Sequence, residues 1–99
     1  MSELSTEDAK LVTLAKSARA RVGAAEGAAV RDGDGRSYTG VTVDRPSFRV
    51  SALELAVANA IASGASKLEA AAVVSAVSEV DPAPVIDVTP DAPIILVAP

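Results

Sequence analysis

The 99-residue chain contains no histidine and no cysteine, and Tyr38 and Phe48 are its only aromatic residues. Without imidazole or thiolate side chains it cannot form an ordinary zinc site, a disulfide, or a catalytic centre based on histidine or cysteine. The lack of disulfides is compatible with any redox compartment. Because few large side chains are available to bury apolar area, we expect the core to be thin and self-association to help stabilise it.

Basic side chains are also scarce. Lys and Arg number 9 against 13 Asp and Glu, which gives a net charge of -4. Binding to nucleic acids or anionic membranes requires a basic surface, so we expect neither as a partner. No apolar stretch approaches the roughly 20 residues that span a bilayer, and the polar start MSELSTEDAK has no apolar signal core. These features predict a cytoplasmic protein.

The length predicts a single domain over residues 1–99, with residues 1–4 flexible. Ser5 precedes two acidic residues and has a side chain that can cap a helix, and Gly23 offers a left-handed end to it. The spacing between them predicts a helix that docks on the surface of the domain. Its buried face is expected to contain Leu11, Leu14, Ala15, Ala18 and Val22.

Two short extended runs follow, at residues 27–30 and 37–43, separated by the segment Arg31-Asp-Gly-Asp-Gly-Arg36. Asp-Gly pairs favour the positive φ angles of a hairpin turn, so the pattern predicts a β-hairpin. A glycine-bearing turn can also bind phosphate, but this one lacks a strand-turn-helix context and carries two aspartates that would repel phosphate. We therefore interpret the segment as a turn.

A loop over residues 44–50 is expected before a second helix, which Ser51 and Glu54 open with the spacing of a capping box and which Gly64 ends. This helix is apolar on nearly every face, which predicts burial on more than one side, against a sheet and against another helix or a second subunit. The apolar run 70–77 predicts a strand covered on both faces.

The remaining residues divide into a proline-rich segment and a last strand. We expect residues 78–93 to be mostly irregular, with a short turn at 85–88, because proline cannot donate to a helix or sheet ladder. Residues 94–98 are expected to form the final strand. The whole order predicts an α/β protein with three α/β/α layers.

Three short motifs in the predicted hairpin resemble those of the cytidine deaminases. They are Gly27-Ala-Ala-Val30, Asp34-Gly-Arg36 and Tyr38-Thr-Gly40, and they occur in the order of that family's first hairpin. The resemblance extends over residues 11–77 and the final strand. It implies a mixed sheet that starts in a β-hairpin.

The resemblance also implies where a site would lie. Thr42 and Asp44 stand where the family has the Asn and Glu that bind ribose, and Phe48 where it has an aromatic residue, so these three are the candidate ligand-binding residues. The family holds zinc with one Cys or His and two further cysteines, and a glutamate transfers protons. Ser51 stands at the first ligand, Leu53 at the glutamate, and residues 81–84 at the two-cysteine motif.

These replacements predict a deaminase-like protein with no catalytic residue, no metal and no cofactor. Ser51 as a nucleophile has no identifiable base, and a helix cap explains it better. Magnesium or manganese bound by carboxylates is a further alternative, although surface solubility explains those acids better. The carboxylates concerned are Asp44, Glu54, Asp81 and Asp87.

Three functions are compatible with the sequence. We expect a noncatalytic interaction or scaffold protein that forms a homo-oligomer, a dimer or tetramer, and that can bind another protein. The alternative is a nucleoside or nucleotide sensor that uses the vestigial pocket. An active cytidine deaminase whose metal ligands come from a different protein is the least expected.

Overall fold

Residues 4–99, which the computed structural model describes, form three helices and six strands. Residues 1–3, for which flexibility is expected, lie outside the described part of the chain, and Leu4 is about half exposed. No helix within residues 4–99 is long and apolar enough to cross a membrane. The elements are α1 (Thr6–Val22), β1 (Gly27–Asp32), β2 (Ser37–Val41), β3 (Val43–Arg45), β4 (Phe48–Val50), α2 (Ala52–Ala62), β5 (Leu68–Val74), α3 (Ala83–Ile86) and β6 (Ile94–Val97).

The main sheet has the strand order β2-β1-β5-β6. Strand β1 runs antiparallel to both of its neighbours, whereas β5 and β6 are parallel, so the sheet is mixed. Helix α1 packs on one face against β1 and β5, and α2 packs on the other face against β2 and β1, with α3 beside it. The predicted three-layer α/β/α fold with a mixed sheet that starts in a hairpin is therefore confirmed.

Helix α1 begins and ends where its caps predict. The Ser5 hydroxyl accepts a hydrogen bond from the Asp8 N–H at 3.1 Å, and Gly23 closes the helix with a φ of 65°. The prediction of its buried face is wrong at two positions, because Leu14 is 39% exposed and Val22 is 61% exposed. Leu14 lies on the flank of the buried stripe, and Val22 is the last residue of the helix. The buried residues are Leu11, Val12, Ala15 and Ala18.

The turn between β1 and β2 is organised by a buried aspartate. Asp32 is 3% exposed, and its Oδ1 accepts hydrogen bonds from the N–H groups of Asp34 and Arg36, both at 2.9 Å. Its Oδ2 accepts from the Tyr38 hydroxyl at 2.8 Å. The hydrogen bond from Tyr38, with those two N–H donors, holds the pKa of Asp32 below its usual value although burial opposes this. The buried aspartate of this turn thus stabilises the hairpin.

Helix α2 lies unusually close to β2 because Gly40 has no side chain. A Cβ atom at Gly40 would meet the backbone N of Ala56 and would come within 2.5 Å of the carbonyl oxygen of Ala52. Only glycine permits that approach. The contact fixes the N-terminal turns of α2 over the hairpin. The buried residues of the helix are Ala52, Leu53, Ala56, Val57 and Ala60.

The structure departs from the expected elements in three segments. The expected loop 44–50 contains most of a second hairpin, in which Val43 pairs with Val50. The apolar run 70–77 is a strand only as far as Val74. The Ser75 hydroxyl then accepts a hydrogen bond from the Val77 N–H at 3.1 Å, and the chain turns away from the sheet. The irregular segment 78–93 includes the one-turn helix α3, close to the predicted turn.

Candidate functional site

A pocket of about 310 Å³ opens between the start of α2, the segment that follows β5, and the start of α3. Polar residues line one part of it and apolar residues the rest. Its walls therefore come from segments that are far apart in sequence but meet at one end of the sheet. The lining residues are Glu26, Ser51, Leu53, Glu54, Val73, Val77, Glu79, Val80, Asp81 and Pro84.

Ser51 and Glu54 form a complete capping box at the wall made by α2. The Ser51 hydroxyl accepts from the Glu54 N–H at 3.0 Å, and the Glu54 carboxylate accepts from the Ser51 N–H at 2.8 Å. Both side chains satisfy backbone groups that the first turn of a helix would otherwise leave unpaired. This arrangement is the cap that the spacing predicts.

Leu53 forms an apolar part of the same wall. Its side chain is 3% exposed and belongs to the core cluster that α2 forms with the sheet and α3. A leucine side chain can neither donate nor accept a proton. The position that the resemblance assigns to a catalytic carboxylate is therefore part of the hydrophobic core.

The opposite wall belongs to the proline-rich segment. The Asp81 carboxylate accepts a hydrogen bond at 3.0 Å from the N–H of Ala83, the first residue of α3, and Pro84 follows within that helix. The structure thus brings Ser51 and Leu53 into the same pocket as Asp81 and Pro84. Sequence reasoning placed these residues at the two halves of one vestigial site.

Glu26 joins the pocket to the hairpin and was not identified from the sequence. Its carboxylate accepts from the Ser75 hydroxyl at 2.7 Å, and its backbone N–H donates to the Thr42 hydroxyl at 3.0 Å. Two features of the sequence could have indicated this contact. Glu26 lies immediately before the strand that starts at Gly27, and Ser75 is a polar residue inside an apolar run.

Four of the residues that line the pocket are carboxylates, and none of its lining residues is basic. Three of the four already accept hydrogen bonds from this chain, as described for Glu26, Glu54 and Asp81. The fourth is Glu79. A negative pocket of this kind repels anionic groups such as phosphate.

The three candidate ligand-binding residues do not line this pocket. Thr42 reaches only its margin, through the hydrogen bond to Glu26. Asp44 pairs with Arg49 at 2.8 Å across the second hairpin, and both side chains are more than two thirds exposed. Phe48 is 57% exposed on the same hairpin. Their assignment as ligand-binding residues remains a prediction.

A family model described as cytidine deaminase-like matches residues 4–99. The chain belongs to the cytidine deaminase-like family. Solved structures support the same relationship, and 16 of their chains match this one. No curated protein sequence matches it significantly.

One of the structural neighbours of this cytidine deaminase-like chain is a cytidine deaminase from Burkholderia pseudomallei, solved at 1.6 Å. The two are 25% identical, with a TM-score of 0.64. The match covers 76% of this chain and 65% of the deaminase, so this family member spans just under two thirds of the length of its neighbour.

The zinc ion that the family implies does not fit the side chains of this pocket. Zinc in proteins is held by imidazole, thiolate and carboxylate ligands, and its structural and catalytic sites usually include at least one of the first two. Of these ligand types the pocket contains only carboxylates, and three of them already accept hydrogen bonds from this chain. Within residues 4–99 no group of three or more His, Cys, Asp or Glu residues is placed to hold a metal ion.

Proposed function

We propose that this family member is a noncatalytic interaction or scaffold module that self-associates. The observation that carries the proposal is the content of the pocket. Ser51 is a helix cap, Leu53 is a core residue, and the proline-rich wall contributes Asp81 and Pro84, so the zinc ligands and the proton-transferring glutamate of the family have no counterpart at these positions.

The exposed apolar surface supports self-association. Ile61 on α2 is 53% exposed and Ile86 on α3 is 46% exposed. Between these helices runs a groove lined by apolar residues that include Val57, Ala58 and Val88, and also by the carboxylates of Glu54, Asp81 and Asp87. Apolar residues that are contiguous on a surface mark contacts with other proteins more often than residues that are scattered singly. The groove is the surface on which we expect α2 to bind a partner, either a second copy or another protein.

The catalytic part of the proposal is tested by a deamination assay. The purified chain is incubated with cytidine, deoxycytidine and added zinc, and ammonia release is measured against a known cytidine deaminase in the same buffer. We expect no release above the background without protein. Turnover that is proportional to the concentration of the chain would overturn the proposal, and a homogeneous preparation excludes a partner protein as the source of metal ligands.

The oligomeric part is tested by light scattering after size-exclusion chromatography over a range of protein concentrations. We expect a mass of at least twice the 9.9 kDa of one chain. A monomer at every concentration would contradict self-association while leaving the absence of catalysis untouched.

The open pocket favours one alternative, a nucleoside sensor. A volume of about 310 Å³ is near the lower limit of pockets that hold small molecules. Its carboxylates disfavour a phosphate, so a nucleoside should bind in preference to the corresponding nucleotide. A panel of matched nucleosides and nucleotides in a thermal-shift assay tests this: stabilisation by nucleosides alone supports the alternative, and no shift contradicts it.

A further inference from the structure

The pocket and the groove described above form one continuous surface. The pocket lies at the start of α2 and α3, the groove runs between these two helices, and Glu54, Asp81 and Pro84 line both of them. A molecule that contacts the groove therefore also reaches the mouth of the pocket. The pocket and the groove together are called the α2–α3 cleft below.

The charge of this cleft differs from that of the chain as a whole. Lys and Arg number 9 against 13 Asp and Glu in the chain, yet the cleft is lined by carboxylates and by no basic side chain. Within residues 4–99, the ion pairs with Lys or Arg all involve other carboxylates. The potential over the cleft is therefore negative. The carboxylates of the cleft are Glu26, Glu54, Glu79, Asp81 and Asp87.

Apolar side chains lie between these carboxylates. Ile61 in the groove is 53% exposed and Val77 in the pocket is 51% exposed, and Val88 in the groove is half-buried. Exposed apolar surface with a polar rim is typical of a site that contacts other proteins. Because the cleft presents apolar area and negative charge side by side, a complementary partner must carry both apolar and basic side chains.

At the pocket end of the cleft, one carboxylate is held in place. The Glu26 carboxylate accepts from the Ser75 hydroxyl at 2.7 Å, and Ser75 is only 3% exposed. A carboxylate has about four lone-pair sites, so Glu26 can accept further hydrogen bonds. Val77 and Val80 line the same pocket. This combination suits a lysine or arginine side chain, whose aliphatic stem packs on apolar surface and whose charged head binds a carboxylate.

We propose that the α2–α3 cleft binds a basic amphipathic segment of another protein. The apolar residues of the segment contact the groove beside Ile61 and Val88, and one of its lysine or arginine side chains enters the pocket beside Glu26. This inference rests on the proposed function, because it names the partner of an interaction module. A second copy suits the cleft less well than a basic partner, since two chains with a net charge of -4 each repel one another.

Fluorescence anisotropy with synthetic peptides tests this binding. The probe is a labelled peptide of about 18 residues, long enough to form a helix, with leucines along one face and lysines on both flanks of that face. One control peptide has glutamate in place of every lysine, and a second has serine in place of every leucine. We expect saturable binding of the basic amphipathic peptide to the purified chain, and binding at least about tenfold weaker for each control.

Paired substitutions in the chain locate the surface that binds the peptide. Glu79→Lys in the pocket and Asp87→Lys in the groove are combined in one variant. Asp34→Lys and Asp91→Lys, at exposed positions outside the cleft, are combined in a control variant with the same net charge. We expect the cleft variant to bind the peptide about tenfold more weakly or worse, and the control to differ from the wild type by less than about twofold. Circular dichroism checks that both variants fold.

The outcomes that would overturn the proposal are distinct. No binding of the amphipathic peptide would overturn it, and so would equal weakening by the two variants or equal binding of the lysine-serine peptide, both of which indicate attraction to the overall charge alone. If light scattering on the same samples shows that the peptide binds only as it dissociates an oligomer, the cleft holds a second copy instead. The proposed function is tested separately, because the mass of the chain without peptide and its deamination rate are measured without the probe.

Discussion

Substitution of Gly40 by alanine should destabilise the fold strongly, because this position controls the approach of α2 to the sheet. An added Cβ would lie within 2.5 Å of the Ala52 carbonyl oxygen and closer still to the Ala56 N. Both atoms belong to the helix backbone, which cannot rotate away as a side chain would, so α2 must move. Overpacking of this kind costs about 1 to 3 kcal/mol, and rigid neighbours place Gly40→Ala near the upper value of about 3 kcal/mol.

Urea unfolding followed by circular dichroism measures this loss. With a denaturant dependence of about 1.5 kcal/mol per molar, which is usual for small proteins, the midpoint should fall by about 2 M. Gly33→Ala is the matched control, since its Cβ would meet only the Lys67 side chain at 3.6 Å or beyond. We expect that control to lie within about 0.5 kcal/mol of the wild type. Equal midpoints for the two variants would refute the close-approach argument.

Substitutions at three further positions examine the turn and the pocket. Tyr38→Phe removes the main cause of the lowered pKa of Asp32. A lowered pKa stabilises the fold above the unfolded-state pKa, and that stability is lost as the pH falls. The variant should therefore be less stable than the wild type at pH 7 and should lose less stability on acidification to about pH 2, as measured by urea titrations at several pH values. Ser51→Ala breaks the capping box and should cost about 1 kcal/mol, whereas Ser51→Thr should retain most of the stability in the same titration. Leu53→Ala should cost about 3 kcal/mol if the residue is core; a loss below 1 kcal/mol in thermal or urea unfolding would show that its side chain is not packed as the structure has it.

Local features were predictable because their causes lie within a few residues of one another. Ser51 and Glu54 cap α2 through bonds that span three positions, and the Asp-Gly turn forms through Asp32 and its near neighbours. The second hairpin was not predicted, since β3 and β4 have only three residues each and are largely exposed, so they are too short to show the alternation over four to eight residues that marks a half-buried strand.

Burial was less predictable than element type. Helical spacing correctly identified Leu11 and Ala15 as buried but also included Leu14 and Val22, which are exposed. Periodicity identifies a face of a helix but does not show how wide the underlying sheet is or where it ends. The place of β6 beside β5 likewise depends on the strand order, which spacing alone does not reveal.

By itself, the sequence determined the chemistry that this chain lacks, because no fold can supply an imidazole or a thiolate that the chain does not contain. Only the tertiary structure showed that Leu53 belongs to the core and that it shares one pocket with Asp81. The physical reason is the distance along the chain over which each effect acts. Composition and helix caps act at one position or across a single turn, whereas a pocket arises where distant segments meet, and that meeting is set by the order and direction of the strands.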